Sequence, residues 1–476
     1  MSFRSNRRDW LVRTGALAAG GVFAPMALAA KPPAKKAAPK RPPAKAQPAP
    51  SAAPALAVAP MQFTRRVLAN GMQVLAQPGG GGGSVAIQVW YRVGGKDDPV
   101  GRSGFAHLFE HLMFKSTRNM ANEQFDRLTE DVGGQNNAFT ADDVTAYIES
   151  VPSHHLDRIL WAEAERMSNL NVDEGNFKSE RAVVQEEFRQ RVLANPYGRL
   201  FEAISPASWE VHPYRRGVIG SIEELDAASI DDVRAFHATF YRPDNAILIV
   251  NGDFDPAALD AAVDRYFAPL KTPASAIPRV TAVEPVRERS RTLNLTGPNV
   301  PLPAALMTWQ GPAANSPDAA ALQVVQGLLS GGESSRLNEA LVYRQQAAQS
   351  AGFETRLNAD SGALIAYAIA AGKRTPQSLV APLMAELARL ANQPISAAEL
   401  DKVKTQLLTA ALNGRQTSLG RGTSLGWAMI NHNDPEAANR ELSQLQAVTA
   451  ADVQRVLRTH VIGKPAVTLF YTQEAK

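Results

Sequence analysis

The chain has 476 residues, of which 45% are hydrophobic and 20% are charged, and this composition is typical of a globular protein with two or three domains. The formal net charge is +4, but the first 60 residues hold ten Lys and Arg side chains and one Asp, which leaves −5 for the remainder. A mildly acidic folded region argues against a nucleic-acid partner. The chain contains no cysteine, so disulfides, thiolate ligands and a Cys nucleophile are excluded, and any metal must be held by His and carboxylates.

The N-terminal segment predicts export. Arg7 and Arg8 precede an aromatic residue and a Leu, and a weakly apolar Ala/Gly-rich run then ends in small residues that suit a signal peptidase. Residues 1–30 therefore resemble a bacterial twin-arginine leader, which predicts a periplasmic location, with a transit peptide or an uncleaved anchor as the alternatives. Residues 31–60 are almost entirely Pro, Ala and Lys and predict a disordered linker. No stretch is long and apolar enough to predict stable membrane insertion.

The folded region is predicted to begin near Met61. Residues 67–75 have the pattern of a strand, an Asn-Gly turn and a second strand, and residues 84–91 predict a further strand. The glycine run at 79–83 lies between them. Because no Gly-Lys-Ser/Thr follows at the required spacing, we interpret the run as a hairpin loop rather than a phosphate-binding loop.

The segment His-Leu-Phe-Glu-His predicts a metal site. If residues 104–114 form a helix, His107 and His111 lie one turn apart on the same face, and both imidazoles can reach one cation. Glu110 borders that face, close enough to take a proton from a metal-bound water. The rest of the segment is apolar, so these polar groups are costly to bury unless something satisfies them. The alternative is a pair of core histidines that donate hydrogen bonds to carbonyl groups.

A later helix is predicted to supply a third ligand. Glu180, Val183, Val184 and Glu187 share one helical face, which directs two carboxylates inward. Periodicity leaves Glu180 and Glu187 equal as ligands, and a surface salt bridge is the alternative for either. A zinc ion held by two His and one Glu would supply a water of lowered pKa. Glu110 is then the predicted general base, and the predicted reaction is metal-assisted hydrolysis of an amide bond.

An internal repeat predicts two related halves. Residues 225–234 match residues 445–454 at an offset of 220, and each copy predicts an N-capped helix leading into a buried strand. The caps are Ser229 and Thr449. The predicted fold class is α+β, with halves at 61–280 and 281–476, and the His-x-x-Glu-His motif occurs only in the first half.

With these motifs the sequence resembles the pitrilysin (M16) family of zinc metallopeptidases, and specifically its short-chain branch with processing-peptidase-like subunits. The resemblance covers essentially all of 61–476. The segments that carry it are 89–94, 104–114, 133–140, 180–187, 212–214, 241–246 and 331–337.

The resemblance implies roles for particular residues. It makes Glu187 the third zinc ligand, with one Zn²⁺ per chain, and Glu180 a supporting carboxylate near the site. It also implies that Asn137, Ala138 and Phe139 form a strand that pairs with the backbone of a peptide substrate, although Asn137 as a turn residue is the alternative. Family members combine four such halves in a closed chamber, so a clamshell dimer is implied for a chain with two halves.

One departure from the family pattern concerns the second half. Active members carry an Arg, and a Tyr seven residues later, that help to hold substrate, and the matching positions here are Val342 and Gln349. The adjacent Tyr343 and Arg344 are expected to point elsewhere, into solvent. The sequence therefore predicts the zinc-bearing subunit of a heterodimer whose homologous partner supplies Arg and Tyr, with a homodimer as the alternative. A non-catalytic scaffold or binding subunit is the competing function.

Overall fold

The computed structural model describes residues 58–475, so the predicted leader and nearly all of the predicted linker lie outside the described residues. Two β-sheets organise this part of the chain, the first of six strands and the second of five. The strands are, in chain order, β1 (Thr64–Val67), β2 (Gln73–Pro78), β3 (Ser84–Tyr91), β4 (Gln135–Thr140), β5 (Thr145–Pro152), β6 (Ala246–Gly252), β7 (Arg291–Gly297), β8 (Ala304–Gly311), β9 (Ala348–Leu357), β10 (Gly362–Ala370) and β11 (Val467–Gln473).

Helices cover both faces of each sheet. Those of the N-terminal half are α1 (Phe105–Leu112), α2 (Gln124–Glu130), α3 (Leu156–Asn169), α4 (Glu174–Phe188), α5 (Gly198–Glu202), α6 (Ile204–Ser208), α7 (Ile222–Asp226), α8 (Ile230–Phe240) and α9 (Pro256–Tyr266). Those of the C-terminal half are α10 (Ala319–Ser330), α11 (Gln377–Asn392), α12 (Ala397–Gly414), α13 (Ser418–His432), α14 (Ala437–Ala447) and α15 (Ala450–His460). Two π-helical turns follow α4 and α10, at Arg189–Leu193 and Asn338–Arg344.

Apart from the additional edge strand β1 in the first sheet, the two sheets have the same topology. The first runs β1-β2-β6-β3-β5-β4 and the second β7-β11-β8-β10-β9. In each sheet one pair is parallel, β2 with β6 and β7 with β11, and the following neighbours are antiparallel. The strand that ends each order, β4 or β9, is an edge strand. The predicted α+β fold of two homologous halves is confirmed.

The repeat extends to the helix caps. Helix α8 begins after Ser229 and α15 after Thr449, and both helices have a capping box closed by an Asp three residues later. In each box the hydroxyl accepts the backbone N–H of the Asp, whose carboxylate accepts the N–H of the cap. These two bonds satisfy donors that an uncapped helix would leave unpaired, which is why the same motif fixes the start of both helices.

The expected hairpin at the glycine run 79–83 is wrong. Strands β2 and β3 flank the run but are not neighbours, because β6 lies between them and pairs with both. The run instead wraps around Asp253, just after β6, whose carboxylate accepts the N–H groups of Gly81 at 3.0 Å and Gly83 at 2.5 Å. A strand contributed from far along the chain cannot be read from the local pattern.

One helical segment of each half packs on the sheet of the other half. Helices α5 and α6, with Trp209, pack on the second sheet, and α13 packs on the first. The two segments begin at Gly198 and Ser418, so they correspond under the same offset of 220 as the rest of the repeat. The central strands β3, β6, β8 and β10 are therefore buried on two faces, and the core of each half is completed by the other.

No helix within residues 58–475 is long and apolar enough to cross a lipid bilayer.

The contact between α13 and the first sheet predicts a sensitive position. A Cβ added at Gly426 would lie 2.2 Å from Cε2 of the fully buried Trp90. Gly426→Ala should therefore lower the free energy of unfolding by about 1–3 kcal/mol, the usual cost of overpacking a core. Urea denaturation measures this loss.

Gly414→Ala is the matched control, because a Cβ at that helical position meets no atom within 4 Å. It should leave the unfolding free energy unchanged or raise it slightly. Equal losses in the two variants would show that the helix does not dock closely on Trp90.

Candidate metal centre

Helix α1 is held at its N-terminus by a buried aspartate. The carboxylate of Asp98 accepts the backbone N–H of Gly104 at 2.6 Å and that of Ala106 at 2.8 Å. Gly104 has φ +90, which suits glycine, and its chain lies against Gly220. Burial raises the pKa of Asp98 to about 8, although the two backbone hydrogen bonds favour its ionised form. The start of α1 is thus fixed by both a cap and a close backbone approach.

His107 and His111 lie on the same face of α1, as predicted. Their rings are nearly perpendicular, with centroids 5.0 Å apart, and their side chains are 8% and 11% exposed. The opposite face packs into the core through Phe105, Phe109 and neighbouring residues. Farther along, the carbonyl of Phe109 accepts a hydrogen bond from the hydroxyl of Tyr147 on β5, at 3.1 Å. The two imidazoles are therefore held by a helix that cannot easily rotate.

The two candidate glutamates of α4 contact different nitrogen atoms of the histidines. Glu187 Oε1 lies 3.8 Å from His107 Nε2, and Glu187 Oε2 lies 3.6 Å from His111 Nε2. Glu180 instead faces the other nitrogen of His111, with Oε2 at 3.5 Å from Nδ1, and its Oε1 lies 2.8 Å from Lys115 Nζ. Burial acts to raise the pKa of Glu180, but the hydrogen bonds from His111 and Lys115 outweigh it and lower that pKa below its usual value.

The side chains of His107, His111 and Glu187 fit a zinc ion. Each offers one ligand atom, and these atoms lie within 4.8 Å of one another. Ligands at about 2.1 Å from a tetrahedral zinc are about 3.4 Å apart, close to the 3.6 and 3.8 Å separations from Glu187. Two imidazoles and one carboxylate are also a donor set that zinc prefers when a fourth position is left for water. Glu180 then matches the carboxylate that orients a ligating histidine through its second ring nitrogen.

Glu110 lies at the edge of this group. Its Oε2 is 3.9 Å from His107 Nε2 and accepts a hydrogen bond of 2.7 Å from the hydroxyl of Thr140. The side chain is 12% exposed, so it has some access to solvent. The carboxylate is therefore held beside the metal-binding group by the last residue of β4.

The three predicted substrate-binding residues lie together on β4. Asn137, Ala138 and Phe139 pair with β5 on one side, and the other side of β4 faces no further strand of the described chain. Asn137 belongs to the strand, where the alternative interpretation placed a turn. Phe139 stacks on Trp427 of α13, with ring centroids 5.7 Å apart. Helix α13 of the C-terminal half therefore packs against the edge strand of the first sheet.

Two family models match successive parts of the chain. Residues 76–221 match the model described as Insulinase (Peptidase family M16), and residues 227–407 match Peptidase M16 inactive domain. The chain is 30% identical over 405 residues to the zinc protease PqqE of Helicobacter pylori, which covers 85% of this chain and 91% of that relative. This chain belongs to the M16 peptidase family.

Further similarities extend across the family. The M16 chain is 22% identical over 406 residues to the probable mitochondrial-processing peptidase subunit beta of Arabidopsis thaliana, covering 83% of this chain and 76% of the relative. A solved structure of a protease from Helicobacter pylori superposes with a TM-score of 0.83 at 29% identity, covering 87% of this chain and all of that one. The periplasmic protease PqqL from Escherichia coli has the same fold, with a TM-score of 0.70 at 20% identity, covering 88% of this chain and 48% of that one.

The second half of the M16 chain carries neither Arg nor Tyr at the two positions singled out in the sequence. Val342 is half-buried in the π-helical turn after α10, and Gln349 is exposed near the start of β9. The neighbouring Tyr343 is 51% exposed. Arg344 lies 3.5 Å from Glu339 on the same turn, in a half-exposed ion pair. Both neighbours thus lie on the surface, as expected.

Besides Lys115, which pairs with Glu180, sequence reasoning missed two residues that contact the site. Thr140 donates to Glu110, and only the folded arrangement of β4 beside α1 brings them together. Arg191, in the π-helical turn after α4, lies with Nη1 at 2.9 Å from Glu187 Oε1. The i, i+4 spacing of Glu187 and Arg191 is a signal that could have found this ion pair.

The contact between Arg191 and Glu187 predicts an effect on metal affinity. The guanidinium holds Oε1 while Oε2 faces His111, and hydrogen bonds to ligating carboxylates typically change metal affinity by about 10–100-fold. Arg191→Ala should weaken Zn²⁺ binding by about that factor, as measured by competition with a fluorescent chelator.

Arg189→Ala is the matched control. Arg189 lies on the same turn and pairs with the exposed Glu186 at 3.3 Å. Its removal should leave the Zn²⁺ dissociation constant unchanged. Tighter binding in Arg191→Ala would show that the guanidinium competes with the metal instead of holding its ligand.

Proposed function

We propose that this chain is a zinc-dependent endopeptidase that hydrolyses peptides or unfolded polypeptide segments. The observation that carries the proposal is the buried group of His107, His111 and Glu187 with Glu110 at its edge. Membership of the M16 family and similarity to relatives named zinc proteases support it. The proposal includes one Zn²⁺ per chain.

The chain's own residues divide the work. Bound zinc supplies a water of lowered pKa and polarises the substrate carbonyl. Glu110, whose carboxylate accepts a hydrogen bond from Thr140, would take a proton from the attacking water and pass it to the leaving amine. Glu180 lies beside His111 Nδ1 and would hold the ring so that Nε2 is free to bind the metal. An extended peptide adds to the open edge of β4 at Asn137, Ala138 and Phe139.

The general-base role predicts the behaviour of Glu110→Gln. The amide keeps the shape of the side chain but cannot accept the proton, so kcat should fall by about 100–10,000-fold while zinc content stays at one per chain. The assay is hydrolysis of a fluorogenic peptide, with metal measured by mass spectrometry.

His107→Ala is the comparison, since it should lose zinc and activity together. Full activity of Glu110→Gln would contradict the mechanism. Activity that survives complete removal of the metal would contradict the site.

We propose in addition that the active enzyme is a clamshell dimer with a homologous subunit that supplies Arg and Tyr. The residue types at Val342 and Gln349 support this, because neither side chain can donate charged or phenolic hydrogen bonds to a substrate carbonyl. A homodimer is the alternative. The predicted leader and the periplasmic location of the Escherichia coli protease of the same fold favour a periplasmic site of action.

The missing pair predicts a gain of activity. If Arg and Tyr are all that the second half lacks, Val342→Arg combined with Gln349→Tyr should raise kcat/KM of the chain alone by about 10-fold or more, since one donor to a developing oxyanion is typically worth at least that much. Peptide hydrolysis by the purified single chain measures the gain.

Gln345→Arg combined with Gln349→Tyr is the control, because it adds the same charge at an exposed neighbouring position. It should gain nothing. An unmodified chain that is already fully active as a homodimer would contradict the need for a partner.

The second candidate function is a scaffold or binding subunit without turnover. The match of residues 227–407 to a domain described as inactive favours it for the second half. The intact Glu110 beside the metal-binding group favours hydrolysis for the first, because a scaffold needs no base there.

A further inference from the structure

The tips of two β-hairpins from different halves meet beside the candidate site. The turn 141–144 joins β4 to β5, and the turn 358–361 joins β9 to β10. Asn358 donates from its side-chain amide to Asp142 Oδ2 at 3.0 Å. The backbone N–H of Ala359 donates to Asp143 Oδ2 at 2.9 Å. The end of the edge strand of the first sheet is therefore bonded directly to the second half.

Tyr214 lies at the centre of this contact. Its hydroxyl donates to Asp143 Oδ1 at 2.5 Å and accepts the backbone N–H of Asp360 at 3.1 Å. The residue is fully buried, and its ring packs on His212 with centroids 4.0 Å apart. Burial and the Asp143 carboxylate raise the pKa of Tyr214, so the hydroxyl keeps its proton. The motif at 212–214, which marked the family resemblance without a role, thus joins the two turns.

Charged side chains close the contact. Lys96 Nζ lies 2.8 Å from Asp143 Oδ1 and 2.8 Å from Asp360 Oδ2, and His212 Nε2 lies 3.3 Å from Asp360 Oδ2. We call Lys96, Asp143, His212, Tyr214 and Asp360 the turn junction. Burying such a set of charges gains little stability compared with an apolar contact of the same size. Its hydrogen bonds do fix one relative position of the two turns.

The turn junction connects to the candidate general base. Strand β4 ends at Thr140, immediately before the turn 141–144, and the Thr140 hydroxyl donates to Glu110 Oε2 at 2.7 Å. A shift of the turn would therefore move both the strand edge and the donor that orients Glu110. Displacements of about 1 Å in a catalytic group can cost on the order of 100-fold in rate.

We infer that the turn junction is a positioning device, through which the C-terminal half sets the place of β4 and, by way of Thr140, the orientation of Glu110. Tyr214 and Asp143 are its positioning residues. This inference rests on the proposed peptidase function. The C-terminal half, which has no metal ligands, thereby contributes to catalysis in the N-terminal half.

The experiment compares Tyr214→Phe, Thr140→Val and the double variant. Each single variant should lower kcat by about 10-fold with a smaller change in KM, because base orientation is disturbed more than peptide affinity. If Tyr214 acts through Thr140, the double variant should be no slower than the slower single variant. Thr140→Ser, which keeps the hydroxyl, should restore most of kcat, and zinc content should be unchanged in all.

Tyr197→Phe is the matched control. Its hydroxyl also joins the halves, donating to the carbonyl of Leu302 at 3.0 Å, but it lies outside the turn junction. It should leave kcat unchanged even if it lowers the unfolding temperature. An equal loss of kcat in Tyr197→Phe would show that any weakened contact between the halves lowers activity, and it would overturn the inference.

Hydrogen exchange supplies a readout that needs no activity. Amides of residues 135–148 should exchange faster in Tyr214→Phe than in wild type or Tyr197→Phe. Unchanged exchange there, or kcat losses that multiply in the double variant, would overturn the inference. A wild-type protein without peptidase activity in any assembly would instead refute the proposed function, while the exchange data would still test whether the junction holds β4.

Discussion

Burial of ionisable side chains between α1 and α4 is the constraint on which the N-terminal half depends. Two imidazoles and three carboxylates lie there with side chains at most 12% exposed. Removing such groups from water costs several kcal/mol each unless partners replace the solvent. Lys115 pairs with Glu180 and Arg191 with Oε1 of Glu187, and a metal ion would satisfy the remaining ligand atoms of His107, His111 and Glu187. The cluster is held in place by hydrogen bonds between α1 and the rest of the fold, at its N-terminus to Asp98 and at Phe109 from Tyr147.

Helical periodicity accounts for the part of the site that could be predicted. It placed His107 and His111 on one face of α1 and Glu180 and Glu187 on one face of α4, because the residues of each pair are separated by close to a whole number of helical turns. It could not rank the glutamates, since a shared face does not say which nitrogen of a histidine each one meets. That distinction depends on how α4 lies against α1. The contact between Thr140 and Glu110 could not be predicted for the same reason, because it depends on how a strand packs against a helix.

The fold shows the same division between local and long-range information. The repeat and its caps at Ser229 and Thr449 were readable, because a capping box lies within four residues of sequence. The placement of β6 between β2 and β3 was not, and the predicted hairpin at 79–83 was wrong. Continuous burial along β3 indicates two covered faces, but a sequence pattern cannot tell which half of the molecule provides the cover.

The exchange of helical segments between halves bears on how such a chain could arise. A single ancestral half would leave one face of its sheet bare, and a second copy could cover it only by giving up its own segment in return, the arrangement of a domain-swapped homodimer. Duplication and fusion of that gene would then preserve every contact and add only a connection between α9 and β7. Once fused, the copies could diverge, one keeping the residues that suit a metal and the other losing them. Neither half could be lost, because each still supplies part of the hydrophobic core of the other half.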